Sequence, residues 1–476
     1  MDGIGQATSR RRIGYAAAVA LAVALTTVVI GALLGFAGPL ITVAALAALT
    51  VALWALTSLE IGLWGVIAII TLLPFASLPF KVVFTPTFLD LAMGGALLVY
   101  AFEWMTGRRR SLTLTPAHGL IAAFLLLAVM SFVAGMPNGP LTSNLLRQFA
   151  ELLLGIAFTF IVVDHVREVP VLARLIRIVL VGGALAAALG IVLYLLPETI
   201  SERALSALRV LAYPSGGVLR YVEDNPENPQ RAISTSVDPN VLGGLLAIIG
   251  GLLTPQLLAT KPLLGSRWVT YLAFALLVTC LILTFSRGAM AALAVAWLGL
   301  ILARYRRLLG PALVVAGLIV LLPATQQYVT HFAEGLAGQD LATQMRLGEY
   351  KDAFILIGRH PLGVGFSGAP EIDIYLGVSS AYLTMAEEMG LTGLTVFVLT
   401  MGVIFVWAFV RRRQVYADPA LTPLWLGAHA ALAAALAIGV VDHYFFNLSF
   451  QPAGTLFWIV VGACLAATRL AAPRDL

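Results

Sequence analysis

The sequence predicts an all-α, polytopic membrane protein with about 12–14 transmembrane helices and two long extracytoplasmic loops. Three observations carry that reading. Of the 476 residues, 60% are hydrophobic and only 11% charged, with a mean hydropathy of +0.95. The apolar residues gather into runs near the ~20 residues a helix needs to cross a bilayer. No strand-like alternation accompanies them, so within lipid the backbone must satisfy its own hydrogen bonds as helix.

In order, the candidate spans fall at about 13–36, 38–59, 61–77, 89–105, 117–136, 145–164, 173–196, 241–259, 268–285, 289–304, 308–323, 380–410, 421–441 and 452–469. The third, tenth and eleventh of these fourteen are short, which leaves twelve or thirteen open. We read residues 1–476 as a single integral membrane domain, with N-terminal helices over 1–144. The first span follows Arg10, Arg11 and Arg12 without a small-residue cleavage site, so it reads as a retained helix. Cys280 and Cys464 both lie in apolar runs, so neither a disulfide nor a metal-ligand spacing is expected, and no cofactor is called for.

Charge sets the orientation. With both termini cytoplasmic, nineteen of the 29 Lys and Arg fall on inner segments, among them Arg108, Arg109, Arg110, Arg411, Arg412 and Arg413. Acidic residues lean the other way. The net charge of +5 is thereby explained by topology, not by a nucleic-acid partner.

The two outer loops, at about 197–240 and 324–379, exceed ordinary connections and should hold helices or a function of their own. In the second, Leu347, Tyr350, Phe354, Ile355 and Ile357 recur at helical spacing. They predict an amphipathic helix, either along the membrane surface or packed on the rest of the domain. A turn follows, with His360-Pro361, Gly363, Gly365 and Gly368; its glycines permit positive φ and close approach to a ligand or another loop. No internal repeat and no helix broken at the bilayer midplane is visible, which argues against a transporter.

Ten cations remain on the outer side, where the topology rule disfavours them. Arg287 lies in Thr284-Phe-Ser-Arg-Gly-Ala289, between two spans; there Ser286 can cap the next helix and Gly288 ease the turn. A helix N-terminus adds partial positive charge, so this position suits a phosphate; the plainer alternative is an arginine snorkelling to headgroups. Arg231 precedes Asp238-Pro239-Asn240, which caps the eighth span, and Arg220 is a weaker version of the same case. Arg346 opens the charged run of the second loop. Loop ion pairs and a solvated helix face are the alternatives for these three. Several arginines around one outer cavity would hold a diphosphate. At least three of Arg231, Arg287, Arg346 and His443 are therefore expected at one cavity. As proton acceptors we single out His443, in Asp442-His-Tyr444, and the pair Glu387-Glu388, two turns into the twelfth span. Each has a structural alternative, a bonded helix-end histidine and an arginine partner respectively.

Three stretches resemble the O-antigen ligase/O-antigen polymerase superfamily of bacterial envelope polysaccharide glycosyltransferases. They are Arg231 with Asp238-Pro-Asn240; Phe285-Ser-Arg-Gly-Ala289; and Arg346, Tyr350 and His360-Pro-Leu-Gly-Val-Gly365, followed by Tyr382-Leu383 and Glu387-Glu388-Met-Gly-Leu-Thr-Gly393. The likeness covers about 145–470. It implies an enzyme of the bacterial cytoplasmic membrane that takes a glycan from a polyprenyl-diphosphate-linked donor. The glycan passes to a glycan or lipid acceptor hydroxyl at the outer face, without metal or nucleotide. One departure matters. Where the family often has His-Asn before the Tyr-Leu pair, the histidine being regarded as catalytic in ligases, this chain has Ser379-Ser380. That leans the reading toward a polymerase, with an O-antigen-type ligase as the alternative and a flippase of lipid-linked anionic solutes as the rival class.

Overall fold

The computed structural model describes residues 49–81, 83–214, 216–322, 341–368 and 378–471, with scattered positions between 42 and 46 and between 326 and 338. The expected span at 13–36, part of that at 38–59, the cations Arg10, Arg11 and Arg12, and parts of the second loop lie outside the described residues.

The other twelve apolar runs are all helices: α1 (Leu59–Leu72), α2 (Phe88–Met105), α3 (His118–Gly135), α4 (Ser143–His165), α5 (Val169–Leu195), α7 (Pro239–Leu253), α8 (Arg267–Leu283), α9 (Arg287–Ala303), α10 (Leu309–Leu321), α12 (Ala381–Ala417), α13 (Leu421–Ile438) and α14 (Gln451–Leu470). Their starts follow local chemistry. Thr87 and Asp90 close a reciprocal capping box on α2, Ser58 and Ser266 cap α1 and α8, and proline opens α5, α7 and α14. Among the described residues, eight helices are long and apolar enough to cross a membrane; α1, α8 and α9 are apolar but shorter. The shortness expected of the third, tenth and eleventh runs is thus seen, and the ninth shares it.

The most buried of the spanning helices is α14, which packs chiefly on α4 and on α13, with α7 on the other side of α13; 89% of its membrane-length window is buried. Small residues let these backbones approach, as lipid-embedded packing requires. Gly155 of α4 sits against Thr455, Gly462 against Val162, and Gly251 and Gly427 bring α7 and α13 together. Thr159 Oγ1 donates to Trp458 O at 2.9 Å. Ion pairs mark the two ends of the bundle. At one end Arg109 meets Glu103 (2.8 Å) and Asp164 (2.7 Å), and Arg174 meets Glu60 (2.5 Å). At the other, Arg147 meets Asp90 (3.2 Å) and Glu151 (2.7 Å). Each set joins residues of one side in the charge reading.

Both long loops contain structure. The first holds helix α6 (Glu198–Ser206) and an antiparallel ribbon, β1 (Arg220–Tyr221) paired with β2 (Gln230–Arg231). A small core of Leu193, Leu205, Tyr213, Val218 and Ile233 seats this loop on the end of α5. The second holds α11 (Leu341–Arg359), which packs on α12. Ala353 and Leu356 are buried while Phe354 is 64% exposed, so this helix rests on the protein and still offers apolar side chains outward.

The run expected as one span over 380–410 carries a break that the sequence reading did not include. Helix α12 is broken near its start, at Gly390 (φ 71°, ψ 178°). The glycine turn fills the gap. Val364 N–H donates to Glu387 O (2.8 Å), Gly365 N–H to Glu388 O (2.9 Å), and Leu391 N–H to Pro361 O (2.9 Å). Gly363 (φ 89°) lies on the 388–390 backbone and Gly365 (φ 83°) against Gly135 of α3. The glycines give close approach to other backbone, and the peptide groups freed by the break are paired within the protein.

Candidate functional site

The site begins at the turn between α8 and α9. Thr284 closes α8 by donating to Leu281 O (2.6 Å) and accepting Ser286 N–H (3.2 Å). Phe285, not Gly288, takes the left-handed conformation (φ 52°). Gly288 has a different duty: a side chain there would collide with Val441. Ser286 occupies the N-cap position of α9, but its hydroxyl makes no capping bond; the residue is buried against Gly243 of α7. Arg287 is the first residue of α9.

Beside it, α7 starts at Asp238-Pro239-Asn240. The Asp238 carboxylate accepts Asn240 N–H (2.7 Å) and Val241 N–H (3.1 Å). The ribbon is tied to both helix starts. Ala232 N–H donates to Leu283 O (2.8 Å), Arg231 Nε to Thr284 O (2.7 Å), and Arg231 Nη2 to Asn240 Oδ1 (2.8 Å). Two helix N-termini therefore lie side by side with an arginine between them, an arrangement that favours anions.

A cavity of about 480 Å³ opens over these termini. Arg220, Arg231, Arg287 and Arg346 all line it, with Asp442 on the facing turn. So the ribbon, the 284–287 turn and α11 each contribute cations to one space. Burial pushes the Arg231 guanidinium down to about 10, against the attraction of Asp238 and Asp224. Burial raises the Asp442 carboxyl above its ordinary range; His443 and Arg346 oppose this and Asp238 adds to it. The other acids lining it, Glu223, Asp224 and Asp238, are solvent-exposed or committed, Glu223 being exposed. Asp238 caps α7, and Asp224, 82% exposed, stands 3.9 Å from Arg220 at the rim.

Other candidates are not brought to this cavity. His443 lies next to Asp442, but its ring faces Phe450 at 5.7 Å and its Nδ1 is buried without a partner. Glu387 is buried, with both carboxyl oxygens unpartnered; its backbone carbonyl and that of Glu388 serve the α12 break. Ser131 Oγ also donates to Glu388 O. Tyr382 packs on Phe397 and Phe445 and donates to Leu436 O (2.7 Å), while His360 O accepts Gly363 N–H (2.9 Å) within the turn. Sequence reasoning passed over Asp442 itself, singling out its neighbour His443. The signal was present: a carboxylate at a helix end facing the side where surplus arginines gather.

Residues 272–398 match the family model described as O-antigen ligase, consistent with the O-antigen ligase/polymerase superfamily. The matched span contains the 284–287 turn, Arg346, the glycine turn and the α12 break; Arg220, Arg231 and Asp442 lie outside it. No curated protein matches the chain. The match and the spanning helices support a multi-pass membrane protein with a glycosyltransferase-like role in polysaccharide or O-antigen assembly.

Proposed function

We propose, from the O-antigen ligase match and the arginine-lined cavity, that this protein transfers a glycan from a polyprenyl diphosphate to an acceptor hydroxyl at the outer face of the cytoplasmic membrane. The observation that carries the reading is the convergence of Arg220, Arg231, Arg287 and Arg346 on one cavity above two helix N-termini. The donor diphosphate would sit there, its prenyl chain in lipid and its sugar toward Asp442. As the bond from C1 to the phosphate oxygen breaks, negative charge grows on the diphosphate, and fixed guanidinium groups stabilise it more in the transition state than before. Ser379-Ser380 in place of His-Asn favours a polymerase, with a second lipid-linked repeat as acceptor, over a ligase.

A transporter of lipid-linked anions draws some support from the break in α12. Its freed peptide groups, however, are taken by Val364, Gly365 and Pro361 and are not offered to a solute. Vesicles containing the purified protein and a lipid-linked oligosaccharide separate the two. Release of polyprenyl diphosphate with formation of a longer glycan is expected. Movement of intact donor without a new glycosidic bond would replace the transferase with a transporter. Growth with the lipid-linked repeat as sole glycan marks a polymerase; dependence on a different acceptor marks a ligase.

A further inference from the structure

The 439–442 turn is clamped onto the two serines that stand where the family often has His-Asn. Ala381 N–H, at the start of α12, donates to Gly439 O (2.9 Å) and to Asp442 O (3.1 Å). Ser380 Oγ donates to Gly439 O (3.4 Å). Tyr350 of α11 binds both sides of the junction, donating to Ser379 O and Val440 O at 3.2 Å each. Glu349 completes the clamp by accepting Ser379 N–H at 2.9 Å. One turn of helix away, Arg346 reaches the cavity, and Val441 seals against Gly288 beside Arg287. The turn so fixed presents Asp442, not His443, to the arginines.

We propose that Asp442 is the proton acceptor of the transfer step, standing in for the histidine that the Ser379-Ser380 position lacks. The inference rests on the transferase reading. Three groups of observations support it besides position. Asp238 is occupied as a helix cap and the Glu223 and Asp224 side chains are solvent-exposed, so none of the three competes for the role. Burial raises the Asp442 carboxyl, and His443 and Arg346, the latter lining the same cavity, oppose that rise. His443 does not line the cavity, and its Nδ1 is buried without a partner.

The step balances simply. The acceptor oxygen bonds to the donor C1 while its hydroxyl proton passes to the Asp442 carboxylate. The bond from C1 to the phosphate oxygen breaks, and its electron pair leaves on polyprenyl diphosphate among the arginines. Asp442 then returns its proton to water.

The test compares wild type, Asp442→Asn and Asp442→Glu in vesicles with a lipid-linked oligosaccharide, following polyprenyl diphosphate release against pH. Asp442→Asn is expected to lower kcat about 10²–10⁴-fold, the contribution of a general base, with the donor KM little changed and the acid limb of the pH profile lost. Asp442→Glu should recover part of the rate. The unchanged donor KM distinguishes a folded, base-deficient site from a collapsed one. Release within a few fold of wild type in Asp442→Asn, with the acid limb intact, overturns Asp442 and leaves the transferase standing. A pH profile that is unaltered in a slow variant, or a donor KM that rises in step with the loss of rate, also overturns the role as base. Absence of release by the wild type itself removes both.

Discussion

Arg231 donates to Asn240 Oδ1 at 2.8 Å, across the mouth between the first loop's ribbon and the start of α7. Its Nε at the same time holds Thr284 O at 2.7 Å, at the end of α8. A single guanidinium thus joins three chain segments and faces the cavity they enclose. Arg231→Ala leaves two acceptors without this donor and should cost about 1–3 kcal/mol of stability as well as turnover. Arg231→Lys keeps the charge but loses the planar fork that makes both bonds, so it should regain little. Thermal unfolding in detergent reads the first effect and donor turnover the second.

The α12 break depends on Gly390. At its φ of 71° any side chain is strained, and a Cβ would run into the Leu362 backbone. Gly390→Ala is expected to cost at least about 1–3 kcal/mol and to reduce the yield of monodisperse protein. Gly402, in the same helix, has open space around it, so Gly402→Ala should behave as wild type.

Asp442 gives stability a pH dependence of definite sign. Its folded-state pKa is raised, chiefly by burial, so the native state holds this proton to higher pH than the unfolded chain does. The associated stability is full below the unfolded value of about 4 and is lost as pH rises through the folded value. Asp442→Asn cannot ionise. Its unfolding temperature should match wild type near pH 4 and exceed it increasingly toward neutrality. A wild type that gains on the variant as pH rises would contradict the burial of this carboxyl.

The starts of the described helices were legible in the sequence to within a few residues, because lipid makes length, hydropathy and capping sufficient signals; their ends were less so, α12 running on to Ala417 where the sequence reading stopped at 410. Thr87-Asp90 and Asp238-Pro239 mark helix starts by local chemistry alone. The shared arginine cavity was legible too, since Arg220, Arg231, Arg287 and Arg346 each stood against the charge rule. The functions of the glycines were not. Whether Gly288 bends a turn or admits Val441, and whether Gly365 meets a ligand or Gly135, depends on contacts between segments far apart in the chain. Gly390 hid for the same reason: its partner, Leu362, approaches from another element. Asp442 and His443 are neighbours in sequence, and only the course of the 439–442 turn decides which one faces the arginines.

His443 is accordingly predicted to be dispensable for proton transfer. With Nδ1 buried and its ring on Phe450, His443→Gln should keep kcat within about tenfold of wild type, well short of the 10²–10⁴ that a general base contributes. An equal loss in His443→Gln and Asp442→Asn would point back to the imidazole.

The most direct measurement is polyprenyl diphosphate release at saturating donor by wild type, Arg287→Ala and Arg346→Ala in one reconstituted preparation. If the arginines stabilise the departing diphosphate, wild type releases it with formation of a new glycosidic bond. Each variant then slows by about 10²–10³-fold, as expected for loss of one preorganised donor to developing charge. Variants that turn over at the wild-type rate would show that these cations do not hold the leaving group.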